Sequence, residues 1–296
     1  MESIYNETVR NILVCVDGSD YSTACCQHAI AIAKPRKAHV DVIYTSDMRV
    51  FEMSIVSDFI GDVNCRPYTG IMGQMQLAEK VKSGIIEKIV CSIFEKNNYL
   101  PFMNFHHLNG FLIDIVEEFE SNDRGVDLII LGKRGEHFQK FKGYLGSTTE
   151  RIIKSMGTPC LITTEKFCTP EEILVAYDGS DHSRAAVRGI LRSCDIFGGK
   201  IHLVTVHGND DGDNVAEEQL NEVYKLFKET TYHVCTALLT GPIDQAINKY
   251  IKVHKINLLV MGAFGRSGIR HLIAGSITTK LLTTTNVDTL VYRDDN

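Results

Sequence analysis

The chain has 296 residues, a length that corresponds to about two domains. Hydrophobic residues make up 44% and charged residues 23%, the composition of an ordinary globular protein, which sets aside disordered, collagen-like and coiled-coil readings. Lys and Arg total 31 against 37 Asp and Glu, and the resulting net charge of −6, with no basic cluster, argues against nucleic acid as a partner.

The N-terminal stretch MESIYNETVR lacks the apolar core of a secretory signal, and runs such as Leu128 to Leu131 are far too short to cross a membrane. Both features point to a cytoplasmic protein without a membrane partner. Nine cysteines, two of them adjacent (Cys25 and Cys26) and the rest scattered, do not form a disulfide framework. They read as reduced thiols, several of them inside apolar runs. His106 and His107 are neighbours, but no HxxxH or CxxC spacing accompanies them, so a metal site is not expected.

In chain order, an apolar β-branched run from Ile12 to Val16 predicts a buried strand. Asp17-Gly18-Ser19-Asp20 follows, in which Ser19 or Asp20 is a natural helix N-cap, and Ala24, His28 and Ile32 then recur at helical spacing. A second strand is expected over Val40–Tyr44. Leu77, Val81, Ile85, Ile89 and Ile93 keep a four-residue spacing that predicts an amphipathic helix. Another helix is expected over Ile113–Phe119, a strand over Leu128–Gly132, a helix starting near Ser147 and a strand over Cys160–Thr163.

The pattern then repeats. Residues 12–24 (ILVCVDGSDYSTA) and 173–185 (ILVAYDGSDHSRA) share nine of thirteen positions at an offset of 161. VDLIILGKRG (126–135) recurs as INLLVMGAFG (256–265), and Leu145-Gly146-Ser147-Thr148-Thr149 as Ala274-Gly275-Ser276-Ile277-Thr278. Three blocks in the same order define a tandem duplication. We expect one domain over 1–165 and a second over 170–296, joined near Lys166–Pro170. In the second, strands are expected over Ile173–Tyr177, Ile201–Val206, Leu258–Gly262 and Thr289–Tyr292. Helices there are capped by Ser180 or Asp181 (with Val187, Ile190 and Leu191 at helical spacing), span Ile243–Ile251, and start near Ser276. Asp17 to Gly132 spans 115 residues but Asp178 to Gly262 only 84, so the first half carries an insertion, placed at about 47–100. It is either an extended helix packed on its own domain or a lid or partner surface.

Alternating strands and helices argue for an α/β class with parallel sheets covered by helices on both faces. In such sheets ligands bind beyond the carboxyl ends of the strands, where the loops after Asp17, Asp178, Gly132 and Gly262 lie. A glycine after a strand lets the backbone turn tightly and approach a ligand, and successive free amides form a nest for phosphate oxygens. Gly275-Ser276 and Gly146-Ser147 then open helices whose unpaired amides favour an anion, and Arg266 and Arg270 lie within reach. Alternative roles are structural: Asp17 and Asp178 can cap the following helix, and Ser147 and Ser276 are good N-caps without any phosphate.

These motifs resemble the universal stress proteins in their tandem two-domain form. The family's nucleotide-binding members carry Gly-x2-Gly-x9-Gly-(Ser/Thr) after the fourth strand and an Asp after the first. Gly262, Gly265, Gly275 and Ser276 match that pattern, and Asp178 fills the Asp position. The resemblance implies two open five-stranded parallel sheets of the adenine nucleotide alpha hydrolase-like fold. It also implies that they pack as an intramolecular pseudo-dimer across Cys160–Thr163 and Thr289–Tyr292. By the same resemblance ATP or another adenine nucleotide, with Mg²⁺ only alongside its phosphates, binds the second half through Asp178, Val206, Gly262, Gly265, Arg266, Gly275, Ser276 and Ile277.

The first half departs from the pattern, with ten residues instead of nine between Gly135 and Gly146. It nevertheless keeps Asp17, Thr45 (at the position of Val206), Gly132, Gly135, Gly146 and Ser147 as a second candidate site, with Lys133 and Arg134 supplying positive charge. No Walker P-loop, GxSxG elbow or GxGxxG fingerprint is present. The expected role is therefore a nucleotide-responsive stress regulator with an unidentified protein partner or a second copy of itself. A ligand-free interaction module and a slow ATP hydrolase are the alternatives.

Overall fold

A computed structural model of the chain describes residues 9–46, 68–136, 143–192, 199–207, 213–228, 230, 232–263 and 276–293. The first half runs β1 (Asn11–Val16), α1 (Asp20–Ala33), β2 (His39–Ser46), α2 (Tyr68–Lys96), β3 (Met103–Asn109), α3 (Leu112–Ser121), β4 (Leu128–Gly132), α4 (Ser147–Ser155) and β5 (Cys160–Thr163). The second repeats it as β6 (Glu172–Ala176), α5 (Asp181–Arg192), β7 (Lys200–His207), α6 (Asp213–Phe227), β8 (His233–Thr240), α7 (Ile243–His254), β9 (Leu258–Gly262), α8 (Ser276–Thr284) and β10 (Asp288–Tyr292).

Each half builds five parallel strands, β3-β2-β1-β4-β5 and β8-β7-β6-β9-β10. The two sets meet where β5 and β10 pair antiparallel, Leu161 opposite Leu290, giving one ten-stranded sheet. Each half thereby covers an edge strand of the other, which removes two unpaired edges.

Side chains alternate across a strand, so a run buried on both faces is apolar throughout. Ile12 and Val14 of β1 pack beneath α1 and α2, while Leu13 and Cys15 face α3 and α4. The second half follows suit: Ile173 and Val175 pack on the α5 and α6 side, Leu174 on the α7 and α8 side. The expected α1 face is buried at Ala24, His28 and Ile32, and the α5 face at Val187, Ile190 and Leu191.

The expected insertion is described from residue 68 onward, its earlier part (47–67) lying outside the described residues. Its helix α2 has 29 residues, against 15 in its counterpart α6. The face it buries differs from the expected one. Ile86, Val90 and Phe94 enter the core, whereas Leu77, Val81, Ile85 and Ile89 remain exposed.

Candidate functional site

The strand order of each half reverses beside its first strand, and β1/β4 and β6/β9 are direct neighbours. In the first half the loops leaving their carboxyl ends therefore flank one crevice; in the second the turn after β6 lies beside the end of β9, and residues 264–275 lie outside the described residues. After β1 and β6 the chain turns through Gly18 (φ 87°) and Gly179 (φ 77°), a left-handed backbone that glycine adopts without strain. Those turns aim Asp17 and Asp178 along the crevice, yet the two carboxylates sit in different surroundings.

Asp17 is fully engaged. Its Oδ1 accepts from the Ser19 amide (3.0 Å) and the Ser22 hydroxyl (3.0 Å), and its Oδ2 accepts from the Glu136 amide (2.6 Å) of the loop after β4. The Ser22 hydroxyl in turn accepts the amides of Asp17 and Gly18. Asp17, rather than the Ser19 or Asp20 side chain, thus organises the start of α1, and it also ties both loops together across the crevice. Asp178 is exposed, and among the described residues the Ser180 amide (3.0 Å) is its hydrogen-bond donor. Here the helix is capped by Ser180, whose Oγ accepts the Ser183 amide at 3.2 Å.

The glycines ending β4 and β9 are close-packed, a constraint the expected reading did not include. A Cβ on Gly132 would stand 2.6 Å from Tyr21 Cβ, and one on Gly262 would stand 2.4 Å from the His182 carbonyl carbon and 2.6 Å from the Ser183 amide nitrogen. At both, the first turn of α1 or α5 presses against the strand end and leaves no room for a Cβ. Gly135 is also close-packed, since a Cβ there would meet Asp17 Oδ2 at 3.0 Å. Gly146 caps α4 and donates its amide to the Lys133 carbonyl at 3.0 Å. Ser147 opens that helix and is exposed, while Thr149 donates to the Gly132 carbonyl at 2.9 Å.

Thr45 and Val206 are penultimate in β2 and β7, half-buried, and paired with Leu108 and Leu239. Ser276 opens α8, and Ile277 packs partly buried against the core on that face. Gly265, Arg266, Arg270 and Gly275 lie outside the described residues.

The positive charge expected to serve the first crevice is committed elsewhere. Lys133 is 5% exposed and its Nζ donates to the Thr285 carbonyl just beyond α8 of the other half. Burial above all, with the Arg134 charge adding to it and Asp288 opposing, lowers its pKa to about 8. Arg134 donates to the Tyr144 carbonyl (2.9 Å) and the Tyr21 hydroxyl (3.3 Å), bracing its own loop.

Three contacts that sequence reasoning missed lay α2 across this crevice. Lys82 pairs with Glu136 at 2.6 Å, the Tyr44 hydroxyl donates to Glu79 at 2.8 Å, and Ile86 fills the space above Gly18. A cavity of about 640 Å³ remains between α2 and the loops, lined by Asp17, Gly18, Val81, Ile85, Ile89 and Glu136. In the second half the neighbour above Gly179 is the single polar side chain of Gln219 on α6. Of the missed residues, Ser22 had a signal, because the duplicated blocks keep a serine there and at Ser183.

Among the described residues no group of three or more His, Cys, Asp or Glu side chains is placed to hold a metal ion. None of the described helices is long and apolar enough to cross a membrane.

Comparison with known proteins agrees with this architecture. The model of the universal stress protein family matches residues 8–89 and 170–293. Universal stress protein Slr1230 of Synechocystis sp. is 32% identical over 292 residues, covering 96% of this chain and all of the relative. Universal stress protein MJ0531 of Methanocaldococcus jannaschii is 30% identical over 166 residues, covering 54% of this chain and 88% of the relative. Among solved structures, a universal stress protein from Archaeoglobus fulgidus superposes with a TM-score of 0.68 at 18% identity, covering 96% of this chain and 98% of that one. A second from Pseudomonas aeruginosa gives 0.62 at 16% identity, covering 97% and 94%. The chain belongs to the universal stress protein family, with two copies of the family's α/β unit in tandem.

Proposed function

We propose that this protein is a cytoplasmic stress-response regulator that binds an adenine nucleotide (ATP, ADP or AMP) at the carboxyl edge of its second domain, residues 170–296. The observation that carries this reading is the contrast between the two aspartates: Asp178 is exposed with a single described donor, while Asp17 is locked by three. An exposed carboxylate at a topological switch point, with one donor among the described residues, suits ligand hydroxyl or amino groups. The first turn of a helix carries amides and a dipole that favour phosphate oxygens, and α8, which opens at Ser276 and Ile277, would supply them. Gly265, Arg266 and Gly275 would complete the phosphate loop, Gly262 would lead into it and Val206 would line the base pocket. Any Mg²⁺ would arrive with the phosphates. The first-domain set, Asp17, Thr45, Gly132, Gly135, Gly146 and Ser147, we assign to holding that crevice shut under α2.

Isothermal titration tests both halves of the assignment. ATP, ADP or AMP should bind the full chain once, Asp178→Ala should weaken binding about tenfold or more, and Asp17→Ala should leave it unchanged. No heat from any of the three with a folded protein, or loss of binding in the Asp17 variant alone, overturns the reading. A protein-interaction role is the second reading, favoured by the four exposed apolar side chains Leu77, Val81, Ile85 and Ile89 along α2.

A further inference from the structure

At the opposite end of the sheet, away from the crevices, three strands of the second half bring a carboxylate, an imidazole and a thiol into line on one face. His202 of β7 sits opposite Cys235 of edge strand β8, and Glu172 opens the adjacent strand β6. The His202 side chain is 2% exposed, with Nε2 at 2.6 Å from Glu172 Oε2. Its Nδ1 is 3.3 Å from Cys235 Sγ and 2.9 Å from the Tyr250 hydroxyl of α7.

The carboxylate settles the proton arrangement. The Glu172 carboxylate accepts, so Nε2 carries the hydrogen and the Nδ1 lone pair faces two donors, the Tyr250 hydroxyl and the Cys235 thiol. When Nδ1 takes the Cys235 proton, the imidazolium lies between the sulfur and the Glu172 carboxylate. The Tyr250 hydroxyl, which burial and the neighbouring sulfur keep protonated (pKa raised to about 12), remains a donor within the cluster.

The first half shows that the repeat does not require this arrangement. The position of His202 is there Asp41, and that of Cys235 is Asn104, a pair hydrogen-bonded with His106 and His39. Nor do the other described thiols share it. Cys15, Cys25, Cys26 and Cys160 are buried, which pushes their pKa values up and keeps them protonated. Cys91 is held up by burial and Glu87, and exposed Cys168 contacts only the Thr169 carbonyl and the Asn257 side-chain amide among the described residues.

We infer that Cys235 is a modification site, an imidazole-activated thiol that reacts with hydroperoxides. The sulfur attacks the terminal oxygen of ROOH; the S–O bond forms as the O–O bond breaks. The sulfur is oxidised by two electrons to the sulfenic acid, the peroxide is reduced, and the proton held on His202 passes to the departing alkoxide, so that Cys-SH and ROOH give Cys-SOH and ROH. His202 acts as the base, and Glu172 positions the ring.

The test uses the full-length protein, hydrogen peroxide at sub-stoichiometric dose with a 1,3-diketone trap, and iodoacetamide in parallel, both read by peptide mass mapping. Cys235 should be labelled at least tenfold faster than Cys168, the exposed thiol without an imidazole. His202→Gln should bring Cys235 down to the Cys168 rate while leaving Cys168 itself unchanged. Glu172→Gln should lower the Cys235 rate by a smaller factor, and serves as the deciding variant if His202→Gln does not fold. Labelling of Cys235 no faster than Cys168, or a Cys235 rate untouched in the folded variants, overturns the inference.

Discussion

The two copies descend from one duplicated turn, and among the described residues Asp178 of the second has a single donor where Asp17 of the first has built a latch. Asp17 reaches across to the Glu136 amide, Lys82 clamps Glu136 from above, and a helix of 29 residues supplies both the clamp and the Ile86 plug. The second crevice faces a helix of 15 residues that meets the turn through Gln219. Duplication thus lets the two copies of one turn settle into different surroundings. The seam between them shows the same division. His28 and Gly189 occupy equivalent repeat positions, 161 residues apart. On one side His28 Nε2 stands 2.9 Å from Asp288 Oδ2, a close contact and not an aligned hydrogen bond. On the other side Gly189 leaves the space that the Tyr292 ring fills, since a Cβ there would lie 2.1 Å from it.

A large effect is expected at that seam. Asp288 is 3% exposed, and its Oδ1 accepts both the amide (2.7 Å) and the hydroxyl (2.8 Å) of Thr164 on the first half. Asp288→Ala leaves the two part-buried Thr164 donors without their acceptor and removes the carboxylate beside buried His28, a loss of about 2–3 kcal/mol. Chemical denaturation should show the drop. A change below about 1 kcal/mol would mean that the apolar pairing of β5 and β10 alone joins the halves.

The glycines ending the fourth strands come next. Gly262→Ala drives a methyl into backbone atoms of α5, which cannot rotate away, and should destabilise the chain by about 2–3 kcal/mol. Gly132→Ala meets a single Cβ first, that of Tyr21, and should cost about 1–2 kcal/mol. Thermal denaturation of both variants without nucleotide separates this from ligand approach. If Gly262→Ala kept its melting temperature and lost only ATP affinity, the glycine would serve the ligand instead.

Much of the framework was legible because buried parallel strands write themselves as apolar runs. The spans Leu128–Gly132, Leu258–Gly262 and Cys160–Thr163 coincide with β4, β9 and β5. β3 (MNFHHLN) and β8 (HVCTALLT) were not singled out because they are edge strands, partly wet and mixed in polarity. The α2 face was misread for a geometric reason. Each four-residue step on a helix advances about 40° beyond a full turn, so a row of them winds around the axis. Ile93 reaches the core, but the row from Leu77 to Ile89 stays in solvent while Ile86, Val90 and Phe94 pack. At the candidate site, the motif residues were visible but their partners were not. Asp17 meets Glu136 from 119 residues away, and Lys133 meets Thr285 from 152. Neither separation leaves a local pattern.

Lys133 gives the smallest prediction, and it separates a buried structural lysine from one awaiting a phosphate. Burial is the main cause that lowers its pKa from 10.5 to about 8 in the folded chain, so the folded state binds this proton less tightly than the unfolded state. Below about pH 8 the folded chain therefore carries the full penalty of a buried charge. As pH rises from about 8 toward 10.5 the folded chain releases the proton that the unfolded chain still holds, and stability increases. The amine keeps an N–H for the Thr285 carbonyl after deprotonation, so the link between the halves survives. Lys133→Met removes that hydrogen bond at every pH and with it the titration. The stability of the parent relative to Lys133→Met should thus rise by about 1 kcal/mol between pH 7 and about pH 9, read by urea denaturation at both. A difference that stayed flat would place Lys133 in solvent, free to turn toward a ligand in the first crevice, and would remove one of the reasons for assigning that half to scaffold.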